Sequence, residues 1–368
     1  MACRQLRYRP DVPRFRPDLE LVAPYKPGRP ISEVVAEFGL DQVAKLASNE
    51  CPLPPFPEVI AAVADEASGL NRYPENDVGE LRRVVAVHQG VSPSEVWMGG
   101  ASSELALVAA LALGGPDTRF VFAAPSFPLY RIVALIAGAE PVEVPLDADH
   151  RLDLVAMAGA VDEKTTLVFV CNPNNPTGTH RSGDDIERLI DSVPDRVMVV
   201  VDEAYDEYVT APDHRSMISL AVTRTNVLVT RTFSKIYALA GIRIGYGVTT
   251  EANIDALRRI QLPFTVNNLA QVAALTALGQ QDQVADRRRM NADARLAMSS
   301  GLKERGIEVA PTETNFVYAH FGSVAGDLTE ALLRRGIIVR PVPPAGWIRI
   351  SMGTEAENEM LLAALDEL

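Results

Sequence analysis

The sequence predicts an α/β fold: a mostly parallel central sheet covered by helices, followed by a smaller α+β module at the C-terminal end. Three observations carry this. Helical and strand periods alternate between about residues 55 and 275. Several strand candidates there are continuous apolar runs rich in β-branched residues, as strands buried on both faces require. After a long helical stretch at about 281–305 the pattern shifts to short strands and short helices, the mark of a separate α+β unit.

In chain order, residues 1 to about 50 are irregular and proline-rich as far as Pro30, then helical over ISEVVAEFG. Such an arm more often wraps another surface than builds a core. Strands are expected at RFVFAA (119–124), EPVEVP (140–145), TLVFVC (166–171), VMVVVDE (197–203) and NVLVTR (226–231). Helices such as SSELALVAALAL (102–113) and DDIERLIDSV (184–193) separate them. Lys235 follows the run NVLVT at the start of an apolar segment expected to be helical, with Arg243 two turns on. TNFVYAH, a helix near 325–335, GIIVRPV, WIRISMG and a final helix form the last module. The reading divides the chain into an arm (1–50), a large domain (51–280) and a small domain (281–368).

Length and composition suit a large domain with a smaller one: 368 residues, 47% of them hydrophobic. The net charge of −13 argues against a nucleic-acid partner. The densest basic run, Arg287–Arg288–Arg289, has acids around it and reads as a solvated helix face. The cysteines Cys3, Cys51 and Cys171 are odd in number and far apart, which favours a reducing cytoplasm over a disulfide framework. No signal-peptide core and no uncharged run of roughly 20 residues is expected to export the chain or anchor it in a membrane. The five histidines, His88, His150, His180, His214 and His320, are scattered, so paired metal-ligand spacing is absent and no metal is expected.

In open α/β sheets ligands bind at the carboxyl ends of the strands. Three strand ends carry polar groups: TLVFVC runs into NPNNPTG (172–178), VMVVV into DEAY (202–205), and NVLVT into RTFSK (231–235). Lysine, aspartate, tyrosine and asparagine gathered there suit a cofactor with a carbonyl, a basic ring nitrogen, a phenolic oxygen and a phosphate. Pyridoxal phosphate has all four. A lysine buried among Phe233, Ile236, Leu239 and Ala240 would also have a depressed pKa, which frees its lone pair for bonding to a carbonyl.

The strings TFSKIYALAGIRIGY, CNPNNPTG and VVVDEAYDEY resemble the fold-type I pyridoxal-phosphate aminotransferases. Within these, PYKPGRPISEVVAEFGLDQVAKLASNE (24–50) and NRYPEND (71–77) are most similar to the histidinol-phosphate aminotransferase branch and the related bacterial aromatic aminotransferases. The resemblance implies that Lys235 bonds the cofactor aldehyde and later shuttles a proton, and that Asp202 pairs with the ring nitrogen. It implies that Tyr205 and Asn175 bond the phenolic oxygen and that Phe127 stacks on the ring. Ala101, Ser102 and Ser103 at a helix N-terminus, with Ser234 and Arg243, would hold the phosphate. Tyr73 would reach the cofactor phosphate of a neighbouring subunit, making a homodimer with shared sites. Arg349 would hold a carboxylate, Arg340 and Tyr25 a substrate phosphate, and Asn49 a supporting place.

The implied reaction moves an amino group between a donor such as glutamate and a keto acceptor, best fitting histidinol phosphate and imidazole-acetol phosphate. Aromatic amino acid transamination on the same residues stays open, as does a pyridoxal-phosphate decarboxylase or oxidase of specialised metabolism. Three departures bear on the substrate: Cys51 where the family usually has asparagine, a short loop between Arg340 and Arg349, and the phosphate-helix motif GGASSE, which lacks the acidic residue often found after its first serine.

Overall fold

The computed structural model describes residues 16–24 and 28–368. In chain order its strands are β1 (Ala44–Lys45), β2 (Val96–Gly99), β3 (Arg119–Ala124), β4 (Glu140–Pro145), β5 (Thr165–Cys171), β6 (Met198–Asp202) and β7 (Val227–Thr232). They continue with β8 (Gly245–Val248), β9 (Glu308–Val309), β10 (Phe316–His320), β11 (Ile337–Ile338), β12 (Arg340–Val342) and β13 (Trp347–Ser351).

Seven strands make the main sheet in the order β2-β8-β7-β6-β5-β3-β4, and β8 alone runs against its neighbours. The buried faces explain the apolar runs. Side chains of a strand alternate between faces, so Val168, Val170, Val199, Val201, Val227 and Val229 enter one apolar layer. Leu167, Phe169, Cys171, Val200 and Leu228 enter the layer on the other side. Each fully buried valine or leucine contributes about 1.5–3 kcal/mol, so these strands stay apolar until their carboxyl ends. A four-stranded antiparallel sheet, β12-β13-β10-β9, packs its own apolar cluster against the long helix Gln281–Glu304 and the final helix Glu355–Glu367.

The five expected strands form within one or two residues of their expected limits, and the helix Ser102–Leu113 coincides with its prediction. β2 and β8 have no counterpart among the expected strands, because four-residue runs such as GYGV carry too little periodicity to be read as strands.

Two expectations are corrected. No helix follows Lys235: residues 235–242 form successive turns, with Ala238 and Arg243 at positive φ (59° and 63°). The chain must reverse there to lay β8 antiparallel on β7, and backbone bonds from Leu239 N to Phe233 O (3.1 Å) and from Phe233 N to Ile244 O (3.2 Å) close the reversal. Nor is the triple-arginine run a solvated face. Arg287 is 8% exposed, lies 3.8 Å over the Phe56 ring and donates to Ile236 O (2.8 Å). Arg288 donates to Glu207 O (2.5 Å), and Arg289 pairs on the surface with Asp286. Guanidinium groups satisfy several carbonyls at once, so Arg287 and Arg288 staple the long helix to the turns that follow β7 and β6.

Candidate active site

The carboxyl ends of β5, β6 and β7 open onto a cavity of about 860 Å³, roofed by residues of β12 and β13. Lys235, Asp202, Tyr205, Asn175, Phe127, Ser234 and Arg243 line it, with Ala101, Ser102 and Ser103, and with Asn49, Arg340 and Arg349. Tyr73 does not line it. It is 82% exposed and stacks on Phe264 with ring centroids 4.8 Å apart. Tyr25 lies outside the described residues.

Lys235 Nζ donates to Asn49 O at 3.1 Å and sits 5.6 Å from the centre of the Tyr205 ring. Burial lowers its pKa to about 8, helped by the positive charges of Arg349 and Arg243 and opposed by Glu50 and Asp202. Near neutral pH a usable fraction of the amine is therefore unprotonated and nucleophilic.

Asp202 ends β6 and is 7% exposed. Its carboxylate accepts from Tyr130 Oη (2.8 Å) and from Ala204 N (3.2 Å). Burial raises its pKa, and the Tyr130 and Ala204 hydrogen bonds and the Lys235 charge pull against that rise. Asn49 orients the neighbourhood from the other side. Its Nδ2 donates to Tyr205 Oη (2.9 Å), while Ser351 Oγ donates to its Oδ1 (3.0 Å). Arg349 donates to Asn175 Oδ1 and to Ala47 O, each at 2.6 Å. Cys171 is buried and its thiol is pushed up to about 12 by burial, so it is a packing residue, as its place in an apolar run suggests.

At the other end of the cavity no side chain caps the N-terminus of the helix Ser102–Leu113. Its exposed dipole end faces the Arg243 side chain, which donates to Ser103 Oγ (3.4 Å). Gly245 makes this closeness possible. A Cβ there would stand 2.7 Å from both Ser102 N and Arg231 O. Ser234 is held by Thr232, whose hydroxyl bonds Ser234 Oγ (2.9 Å).

Sequence reasoning did not single out Tyr130, Thr232, Ser351 or the Arg131–Glu143 ion pair (2.6 Å) on the cavity wall. Tyr130 is three residues beyond Phe127 and faces Asp202 only because β3 and β6 lie on opposite sides of β5, a relation sequence spacing does not carry.

The class I and II aminotransferase family model matches residues 41–365. The chain belongs to this family. It is 40% identical to the histidinol-phosphate aminotransferase of Bacillus licheniformis over 355 residues, 96% of this chain and 98% of that protein. It is 39% identical to the histidinol-phosphate aminotransferase of Bacillus subtilis, covering 96% of this chain and 99% of that protein. Among solved structures it resembles histidinol-phosphate aminotransferase from Sinorhizobium meliloti in complex with pyridoxal-5'-phosphate, with a TM-score of 0.89 and 28% identity. That likeness covers 96% of this chain and 97% of the other. The family is an enzyme family, and the mostly parallel sheet is the fold its members share.

Proposed function

We propose that this chain is a pyridoxal-phosphate aminotransferase that exchanges the amino group of histidinol phosphate with a 2-oxo acid such as 2-oxoglutarate. One observation carries the chemistry: a lysine amine with a pKa of about 8 shares a cavity with a buried carboxylate, a phenol and a helix N-terminus. That donor set fits the cofactor group by group. Lys235 would take the aldehyde, Asp202 the ring nitrogen, and Tyr205 with Asn175 the phenolic oxygen. Ala101, Ser102, Ser103, Ser234 and Arg243 would hold the phosphate, and Phe127 would cover the ring face.

Bound there, pyridoxal phosphate supplies a carbonyl for the amino group and an electron sink for the pair left on the substrate α-carbon. Asp202, kept from water, holds a proton on the ring nitrogen and so sustains that sink. Lys235 Nζ moves the proton at the α-carbon, a task suited to an amine whose pKa lies near working pH. Tyr205 Oη, fixed by Asn49, holds the phenolic oxygen in place. Arg349, set by Asn175 and Ala47, presents a planar fork to the acidic group of either substrate.

Two guanidiniums near one end, Arg340 and Arg349, suit a substrate with a phosphate and a co-substrate with two carboxylates. A second reading, aromatic amino acid transamination, is favoured by the apolar wall of Pro341, Val342, Pro343 and Pro344 beside them. The reading also takes the chain as a cytoplasmic homodimer in which Tyr73 serves the partner's site, with Tyr25 joining the substrate end. The division into arm, large and small domains at residues 50 and 280 belongs to the same proposal.

Half-reactions test it. The holoenzyme mixed with histidinol phosphate should convert its cofactor band to the amino form faster than with phenylalanine. Conversion by phenylalanine alone would transfer the reading to the aromatic substrate, and carbon dioxide release without a keto product would displace transamination.

A further inference from the structure

Behind the cavity, on the far face of the sheet, a buried cluster of charge touches no part of the proposed reaction. Arg231 is 5% exposed and Glu203 2% exposed. Arg231 donates to Glu203 Oε2 through Nε (3.0 Å) and Nη2 (2.8 Å). Its Nη1 lies 2.6 Å from Asp206 Oδ2 and 3.8 Å from Glu207 Oε1. Glu203 is further held by Ser216 Oγ and Met217 N, both at 2.7 Å, and Asp206 by His214 Nε2 at 2.8 Å.

The placement of these residues in the chain is informative. Glu203 follows Asp202, Asp206 follows Tyr205, and Arg231 precedes Lys235 by four residues. Strand alternation sends Asp202 into the cavity and Glu203 to the opposite face, on the side of Val201 and Val229. The bond from Glu203 N to Thr230 O (2.9 Å) ends the β6–β7 ladder. Past that rung the two strands part, one toward Tyr205 and the other toward Lys235. One guanidinium then spans the gap and grips the residues on either side of the turn that presents Tyr205.

We infer that Arg231 is a positioning residue: its fork on Glu203 and Asp206 sets the mutual geometry of Asp202, Tyr205 and Lys235. A buried ion cluster is a poor way to gain stability, because desolvation offsets the attraction. It is a good way to fix direction, because the planar fork admits few arrangements. Misplacing reacting groups by about 1 Å can cost on the order of a hundredfold in rate. This inference rests on the proposed roles of Lys235 and Asp202.

The test uses holoenzyme carrying Arg231→Lys, which keeps the charge and loses the fork. The melting temperature, kcat, KM and the pH midpoint of the visible cofactor band are measured together. A kcat about tenfold or more lower, with KM changed less than about threefold and the midpoint shifted, is expected. Unchanged kcat and midpoint would overturn the inference, whatever the melting temperature. If Arg231→Lys does not fold, Glu203→Gln is read in the same way and with the same criteria. The parent reading fails differently, through a wild-type protein without a visible band or a band that survives Lys235→Ala.

Discussion

Lys235 is the residue whose perturbation is most directly quantifiable. In the folded protein its pKa falls from 10.5 to about 8, chiefly through burial. A lysine with a depressed folded pKa binds fewer protons folded than unfolded between those two values, so stability rises with pH across that window. Below pH 8 the half-buried ammonium, on the wall of the cavity, is a standing penalty. The fall from 10.5 to about 8 corresponds to about 3 kcal/mol. Lys235→Met removes the penalty and with it the hydrogen bond to Asn49 O, worth about 1 kcal/mol. The cofactor-free variant should therefore be more stable than cofactor-free wild type by about 2 kcal/mol at pH 7. The advantage should shrink as pH rises through 8 and reverse to a small deficit above about 10.5. Urea unfolding of both proteins at pH 7 and pH 10.5 measures this, and other titrating groups cancel in the difference. An equal difference at both pH values, or a less stable variant at pH 7, would refute a lysine desolvated in the folded state.

Other perturbations follow from the same geometry. Asp202→Asn keeps the Tyr130 hydrogen bond but removes the charge, and kcat should fall by about a hundredfold or more with the melting temperature little changed. Arg349→Gln removes a cation that depresses the lysine, so the pH at which Lys235 reacts with an amine-directed reagent should move upward. Gly245→Ala sets a methyl against Ser102 N and Arg231 O, and should lose about 2 kcal/mol of stability and weaken cofactor retention in equilibrium dialysis. Glu207 is pushed by burial from 4.5 up to about 7, so its contribution favours the fold at low pH and is lost as pH climbs from 4.5 through 7. Glu207→Gln should flatten that part of the stability–pH curve, as chemical unfolding at pH 5 and pH 7.5 would record.

Strands such as TLVFVC and VMVVV were legible because burial on both faces leaves no polar position, and composition alone then marks them. Their polar ends pointed to the cavity for a related reason: a chain leaving a buried sheet has to place its first polar residues at the sheet edge. The turn after Lys235 was not legible. Its apolar residues pack inward from irregular backbone, and an apolar stretch in a closed turn looks the same as a buried helix. The arginines at 287 and 288 misled for the opposite reason, since charge in a sequence shows no sign of carbonyls waiting across the fold. Tyr130 and the Arg231 cluster belong to the same class. Their roles arise from which strands become neighbours, and β5 and β6 are adjacent although 26 residues separate Cys171 from Met198 in numbering order.

Every role proposed for the cavity depends on covalent capture of the cofactor by one nitrogen. Borohydride reduction of the holoenzyme, followed by peptide mapping, tests it most directly. The predicted result is a single pyridoxyl-phosphate adduct on the peptide that carries Lys235, absent from Lys235→Ala. An adduct on another lysine, or no adduct in protein shown to hold the cofactor, would contradict it.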